Sequence, residues 1–137
     1  MSVPKVSVLI PVYNAERFLP QCLDRVSNQT LKDIEIICIN DGSKDGSLGI
    51  MESYAKNDSR IRIIDKVNTG YGHSLNMGIM DARGEYIGII ESDDFPELNM
   101  FEILYGEAKK HNLDVSRCNF FFYNTEKDSK VKTDIPY

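Results

Sequence analysis

The run Ile34-Glu-Ile-Ile-Cys-Ile-Asn40 is apolar at almost every position. A short apolar run without alternation, followed by the turn residues Asp41-Gly-Ser, is typical of a β-strand that is buried on both faces. Strands of this kind belong to parallel sheets, whose two faces are covered by helices. The run therefore predicts an α/β fold.

Strand-like and helix-like segments alternate along the chain, which predicts right-handed βαβ crossovers. We predict a mainly parallel sheet with helices on both faces, and Asn14 as the N-cap of the first helix. The predicted strands cover residues 5–11, 34–40, 60–65, 86–91 and 115–123, and the predicted helices cover residues 15–29, a stretch after residue 46, and residues 74–82 and 98–110.

Composition limits the class of protein. The chain has 137 residues, 42% hydrophobic and 27% charged, so we expect one globular domain over residues 1–137. Its three cysteines have no metal-ligand spacing and are interpreted as small apolar filler. The apolar run from Val6 to Val12 is too short for a signal or membrane segment, so we expect a cytoplasmic protein. A net charge of -5 without a basic block argues against a nucleic-acid polymer as partner.

Polar residues follow each of the first four predicted strands. They are Tyr13-Asn14, residues 40–43, residues 68–70 and residues 92–94. In a parallel sheet, loops that leave the carboxyl ends of strands surround the ligand site. We therefore expect these four loops to converge on one rim.

The pair Asp93-Asp94, with Glu91 just before it, is the strongest candidate for a metal site. Carboxylate oxygens suit Mg²⁺ or Mn²⁺, and substrate phosphates often complete the ligand set. The same residues also match a capping box, with Asp94 as N-cap and Glu97 at the third helical position. Spacing alone favours neither interpretation.

Three further residues have two interpretations each. The Asp41 carboxylate is placed to accept hydrogen bonds from a nucleobase or a ribose, or else to form an Asx-turn in Asp-Gly-Ser. Tyr13 is either a stacking surface for a base or a packing residue. His73 is interpreted as a loop histidine in preference to a ligand or a base. The glycines near it match neither a P-loop nor a dinucleotide fingerprint.

Several motifs occur in an order that resembles family 2 glycosyltransferases. They are Val8-Leu-Ile-Pro-Val-Tyr-Asn14-Ala-Glu16, Ile39-Asn-Asp-Gly-Ser-Lys-Asp-Gly-Ser47, Asn68-Thr-Gly, Asn76-Met-Gly-Ile79, Ala82-Arg-Gly-Glu-Tyr-Ile87 and Glu91-Ser-Asp-Asp94. The resemblance spans about residues 5–104. It implies a GT-A fold, which is Rossmann-like, a nucleoside-diphosphate-sugar donor, and sugar transfer with inversion at the anomeric carbon.

The resemblance also implies roles for individual residues. Pro11, Tyr13 and Asn14 would line the base pocket, with Glu16 beside them, and Asp41 would bond the base, most often uracil. Asp93 would face the ribose and diphosphate, and Asp94 would ligate Mn²⁺ or Mg²⁺. The family motif is often D-x-D, so Glu91-Ser-Asp-Asp94 is a looser form that leaves the remaining metal ligands undefined.

The general base of such enzymes comes from a segment well after this motif, so we expect it beyond Tyr137. We accordingly expect a truncated domain that binds the donor without the acceptor site, and the resemblance implies that the donor is a UDP-sugar. The parent would act on a glycan or lipid-linked acceptor in polysaccharide assembly, with peripheral association at the inner face of the membrane. The alternative is a non-catalytic nucleotide-binding module. A nucleotidyltransferase is disfavoured because Pro11-Val-Tyr-Asn is not a glycine-rich basic loop.

Overall fold

The fold is a four-stranded parallel sheet with helices on both faces, followed by a small hairpin, in a computed structural model that describes residues 2–133. The main sheet has the strand order β3-β2-β1-β4. Its strands are β1 (Val6–Val12), β2 (Ile34–Asp41), β3 (Ile61–Lys66) and β4 (Tyr86–Ile89). The helices are α1 (Leu19–Ser27), α2 (Ser47–Asn57), α3 (Tyr71–Asp81) and α4 (Met100–His111). The α/β class and the parallel sheet predicted from the sequence are confirmed.

The central strands β1 and β2 are buried along their whole length, as the apolar run predicts. They pair in parallel from Val6 opposite Ile34 to Val12 opposite Asn40. One face of the sheet packs against α1, α2 and α4, and the other face, with Leu9 and Ile39, packs against α3. The carboxyl ends of both strands therefore emerge at the same edge of the sheet.

The prediction that Asn14 caps the first helix is wrong. That helix begins at Leu19, with Phe18 at the N-cap position and Pro20 in its first turn. Asn14 has a φ of 50°, and its Oδ1 accepts a hydrogen bond from the backbone N–H of Lys44 at 2.7 Å. Its side chain thus joins two loops. The helix starts farther along the chain because a proline is favoured in the first turn of a helix.

The third helix begins at Tyr71, three residues before the predicted start at Ser74. Gly70 has a φ of 95°, a conformation that glycine adopts readily, and its carbonyl accepts a hydrogen bond from the backbone N–H of Ser74. His73 consequently lies in the first turn of α3, and its interpretation as a loop residue is wrong.

The predicted fifth strand does not extend the main sheet. Strand β5 (Phe120–Asn124) pairs antiparallel with β6 (Ser129–Thr133), which was not predicted. The turn between them is closed by Asn124, whose Oδ1 accepts hydrogen bonds from the backbone N–H groups of Glu126 and Lys127. A side chain that bonds its own turn in this way favours a local hairpin over pairing with distant strands.

No helix among residues 2–133 is long and apolar enough to cross a lipid bilayer.

The one charged residue within the apolar run, Glu35, is 4% exposed and lies near the amino end of β2. Its carboxylate accepts hydrogen bonds from Ser7 Oγ at 2.6 Å, Arg83 N at 2.6 Å and Arg62 Nη2 at 3.1 Å. Burial opposes ionisation of Glu35, but these hydrogen bonds outweigh it and lower its pKa from 4.5 to about 2. Because Arg83 follows α3, this network fastens the end of α3 to the sheet.

We predict that Glu35→Gln lowers the free energy of unfolding at pH 7 by about 3 kcal/mol. A carboxyl group whose pKa is lower in the folded state than in the unfolded state stabilises the fold at every pH above its pKa in the unfolded chain. The difference from the wild type should shrink as the pH falls from about 4.5 towards 2, where the native carboxylate becomes protonated. Urea unfolding at pH 7 and at pH 3 measures both effects. The exposed Glu52→Gln is the control and should change little; equal effects of the two variants would contradict the account.

Candidate functional site

The loops after β1, β2, β3 and β4 surround a cavity of about 460 Å³ at the carboxyl edge of the sheet. Five residues predicted from the sequence line it: Pro11, Tyr13, Asn14, Asp41 and Asp93. The expected convergence of the four loops is therefore present. The cavity has the size of a small-molecule site and lies where parallel sheets bind their ligands.

The first two loops are held together by backbone-to-side-chain hydrogen bonds. The N–H of Asn14 donates to Ser43 Oγ at 3.1 Å, and the N–H of Ala15 donates to Ser47 Oγ at 2.9 Å. Tyr13 is 53% exposed beside these contacts, so part of its ring faces solvent at the cavity. The loops thus fix the backbone on both sides of an accessible aromatic ring.

Glu16 lies outside the cavity lining. Its Oε2 accepts a hydrogen bond from the N–H of Gly46 at 2.6 Å, and its own N–H donates to Asp45 Oδ2 at 3.1 Å. Gly46 is the N-cap residue of α2. Glu16 therefore satisfies a free N–H group at the start of a helix, where a negative charge is also favourable.

The carboxylate of Asp41 joins the second loop to the third. It is the last residue of β2, and it is 5% exposed. Its oxygens accept hydrogen bonds from Thr69 N at 2.8 Å, from Gly70 N at 3.0 Å and from Lys66 Nζ. The Asx-turn interpretation is wrong for Asp41, because the N–H of Ser43 in that turn donates to Asn40 Oδ1.

The same contacts keep Asp41 ionised. Burial would raise its pKa, but the hydrogen bonds from Lys66, Thr69 and Gly70 and the positive charge of Lys66 hold the pKa below its usual range. Asp41 is therefore a buried, charged hydrogen-bond acceptor in the lining of the cavity.

The third and fourth loops meet through Tyr71 and Glu91. Tyr71 lies in the first turn of α3, and its hydroxyl donates to Glu91 Oε1. This contact raises the pKa of the Tyr71 phenol to about 12, so the phenol stays protonated. Both residues line the cavity. Neither a role for Tyr71 nor its contact with Glu91 is predicted from the sequence. An aromatic residue beside the helix-start glycine was the only sequence signal for Tyr71.

Asp93 and Asp94 lie on an exposed turn after β4, in which the N–H of Asp94 donates to the carbonyl of Glu91 at 3.0 Å. Asp93 lines the cavity, whereas Asp94, the next residue in the sequence, is not one of its lining residues. The capping-box interpretation is wrong, since α4 begins at Met100 with Asn99 at the N-cap position. Neither carboxylate is used to start a helix.

The carboxylates of this turn repel one another. Partial burial, together with the charges of Asp93 and Glu91, raises the pKa of Asp94. Among residues 2–133 no group of three or more His, Cys, Asp or Glu side chains is arranged to hold a metal ion. The adjacent pair fits a hard cation that takes its other ligands from water and phosphate, which is how Mg²⁺ is usually held.

Close approach of the second and third loops depends on Gly42. Its φ is 69°, and a Cβ at this position would lie 2.7 Å from Asn68 N. We predict that Gly42→Ala lowers the free energy of unfolding by about 1–2 kcal/mol, because alanine resists this φ and the added atom would push the third loop away. Thermal or urea unfolding measures the change.

Gly49→Ala is the matched control, since nothing lies within 4 Å of a Cβ at that position in α2. This variant should raise the free energy of unfolding by about 0.5–1 kcal/mol through the helix preference of alanine. Stabilisation by Gly42→Ala would show that the two loops do not pack as described.

Comparison with known proteins agrees with this geometry. The family described as glycosyl transferase family 2 matches residues 7–136. The chain is 43% identical over 129 residues to the uncharacterized glycosyltransferase EpsJ of Bacillus subtilis, covering 94% of this chain and 38% of that protein. It is 38% identical over 138 residues to the glycosyltransferase GlyG of Streptococcus pneumoniae, covering 93% of this chain and 46% of that protein.

Among solved structures, S. aureus TarS in complex with UDP-GlcNAc superposes with a TM-score of 0.74 at 25% identity, over 79% of this chain and 32% of that one. The chain spans less than half the length of the two curated relatives. The match to the family model covers nearly the whole sequence, and the TM-score indicates that the structural neighbour has the same fold over the matched part. The chain therefore belongs to glycosyl transferase family 2 and has the α/β architecture of the GT-A glycosyltransferases.

Proposed function

We propose that this domain binds a UDP-sugar and serves a glycosyltransferase that moves the sugar, with inversion, to a hydroxyl group of a glycan or glycoconjugate. The observation that carries the proposal is the cavity itself. It is lined by an accessible aromatic residue, Tyr13, by the buried carboxylate of Asp41 and by the exposed Asp93, which Asp94 follows in sequence. The similarity to TarS, whose structure holds UDP-GlcNAc, supports the choice of nucleotide.

The base would bind at Tyr13 and Asp41. A half-exposed tyrosine ring offers a flat face for a nucleobase, and such stacking contributes about 1–3 kcal/mol per base. Asp41 is ionised and fixed in place, so it would accept a hydrogen bond from a base N–H without first reorganising. Pro11, near the end of β1, and Asn14, in the loop that follows, also line the cavity.

The diphosphate would lie towards Asp93 and Asp94. Two carboxylates repel a diphosphate unless a cation lies between them, and the domain has a net charge of -5. We propose that Asp94, with help from Asp93, holds Mn²⁺ or Mg²⁺ there. When bound, the cation would neutralise the diphosphate and stabilise it as a leaving group. Asp93 would orient the ribose and diphosphate from the cavity side.

The proposed reaction is a direct displacement. The acceptor oxygen forms a bond to the anomeric carbon while the bond from that carbon to the diphosphate oxygen breaks, and UDP leaves with the electron pair. The acceptor proton passes to a general base, which is not among the donor-site residues assigned here. The domain would bind and orient the donor, and the fixed loops would keep the sugar carbon exposed to attack.

We predict that UDP binds the 137-residue chain and that Mn²⁺ increases its affinity at least about tenfold, the factor produced by about 1.4 kcal/mol. Asp94→Ala should abolish the gain from Mn²⁺ while leaving much of the metal-free affinity, because the base contacts remain. Calorimetric titration with and without Mn²⁺ measures each constant.

The exposed Asp114→Ala, which removes a carboxylate after α4, is the matched control and should behave as the wild type. The proposed metal role is wrong if Mn²⁺ strengthens UDP binding equally in Asp94→Ala and in the wild type. The donor-site proposal as a whole is wrong if the folded wild-type chain binds no uridine nucleotide under either condition.

A further inference from the structure

Lys66 is a buried cation next to the base side of the cavity, and neither the motifs nor the proposed chemistry gives it a role. It is the last residue of β3 and pairs in register with Asp41. Its side chain is 9% exposed. The Nζ atom donates to Asp41 Oδ1, to Thr69 Oγ1 at 2.6 Å and to the Val67 carbonyl at 3.2 Å. All three donors of the ammonium group are therefore occupied.

Thr69 is itself held in position. Its Oγ1 lies 2.8 Å from His73 Nδ1, and its N–H donates to the same Asp41 oxygen that Lys66 contacts. The ammonium group of Lys66 is therefore fixed by groups on both sides. We expect the ammonium group, held by these contacts, to keep its place beside Asp41 when a ligand enters the cavity.

These contacts limit what Asp41 has to offer a ligand. An ionised carboxylate has about four lone-pair positions for hydrogen bonds, two on each oxygen. Oδ1 uses both, for Lys66 Nζ and Thr69 N, and Oδ2 uses one, for Gly70 N. One acceptor position remains, on Oδ2.

We propose that Lys66 is a specificity-determining residue. Because Lys66 occupies one acceptor position of Asp41, a single position remains free for the ligand. That position suits a base with one ring N–H donor, such as uracil, better than it suits guanine. The inference rests on the proposed donor site and deepens it. Uracil presents one N–H between two carbonyl groups. Guanine presents a ring N–H and an adjacent amino group, so one of its donors would lack a partner at Asp41, and an unpaired buried donor weakens binding.

Inosine diphosphate separates this effect from the size of the base, because hypoxanthine is a purine with the ring N–H of guanine but without its amino group. We expect the wild-type chain to bind inosine diphosphate about tenfold more tightly than GDP, and UDP more tightly than either. The factor is of the order that one hydrogen bond to a charged group contributes. Competition titration against UDP measures the three constants in one buffer.

Lys66→Met removes the ammonium group and keeps an unbranched apolar side chain of similar length. It returns one lone-pair position of Oδ1 to the ligand. We expect the preference for inosine diphosphate over GDP to fall to less than about threefold in this variant, and the preference for UDP over GDP to fall about tenfold. Lys56→Met, which changes an exposed lysine of α2, should keep both preferences.

A purely structural role for Lys66 has a different signature. If Lys66 only holds the third loop, Lys66→Met weakens the binding of all three nucleotides by the same factor and leaves the ratios of their affinities unchanged. That result would overturn the inference, but the proposed donor site would still stand. Equal affinity of the wild type for inosine diphosphate and GDP would overturn it without any variant. Failure of the folded wild type to bind UDP would instead overturn the proposed donor site, and the inference with it.

Discussion

The structure depends on two parallel strands, β1 and β2, that are buried on both faces. Their apolar side chains pack against α1, α2 and α4 on one side and α3 on the other, and the strands pair in parallel from Val6 opposite Ile34 to Val12 opposite Asn40. The register fixes where each strand ends. Tyr13, which follows β1, and Asp41, which ends β2, both line the cavity because the two strands end at the same edge of the sheet.

Polar contacts also hold the loops to one another. The first loop forms hydrogen bonds with the second, Asp41 accepts hydrogen bonds from the third, and the hydroxyl of Tyr71 donates to Glu91 after β4. The loops are thereby fixed around the cavity, and such preorganisation lowers the ordering entropy lost on binding. The exposed Asp93-Asp94 turn is the proposed place of the diphosphate and the cation.

The sequence predicted the features that follow from side-chain periodicity. The order of strands and helices through α4, the double burial of β2 and the meeting of four loops all depend on patterns of apolar and turn residues. Details that depend on contacts distant in sequence were missed. Asn14 and Asp94 have the chemistry of helix caps, but Asn14 is held by a distant loop and Asp94 lies in a turn six residues before the start of α4. The roles of Tyr71 and Lys66 depend on partners 20 and 25 residues away, which no local pattern reveals.

We propose that this carboxyl edge is a donor site with a base end and a diphosphate end. A crystal structure of the chain grown with UDP and Mn²⁺ would show where each part of the nucleotide binds. We expect uracil against the Tyr13 ring with its N–H donated to Asp41 Oδ2, and the diphosphate and Mn²⁺ at Asp93 and Asp94. Well-defined UDP that lies elsewhere on the domain, or that enters the cavity with the base at Asp94 and the phosphates at Asp41, would contradict it.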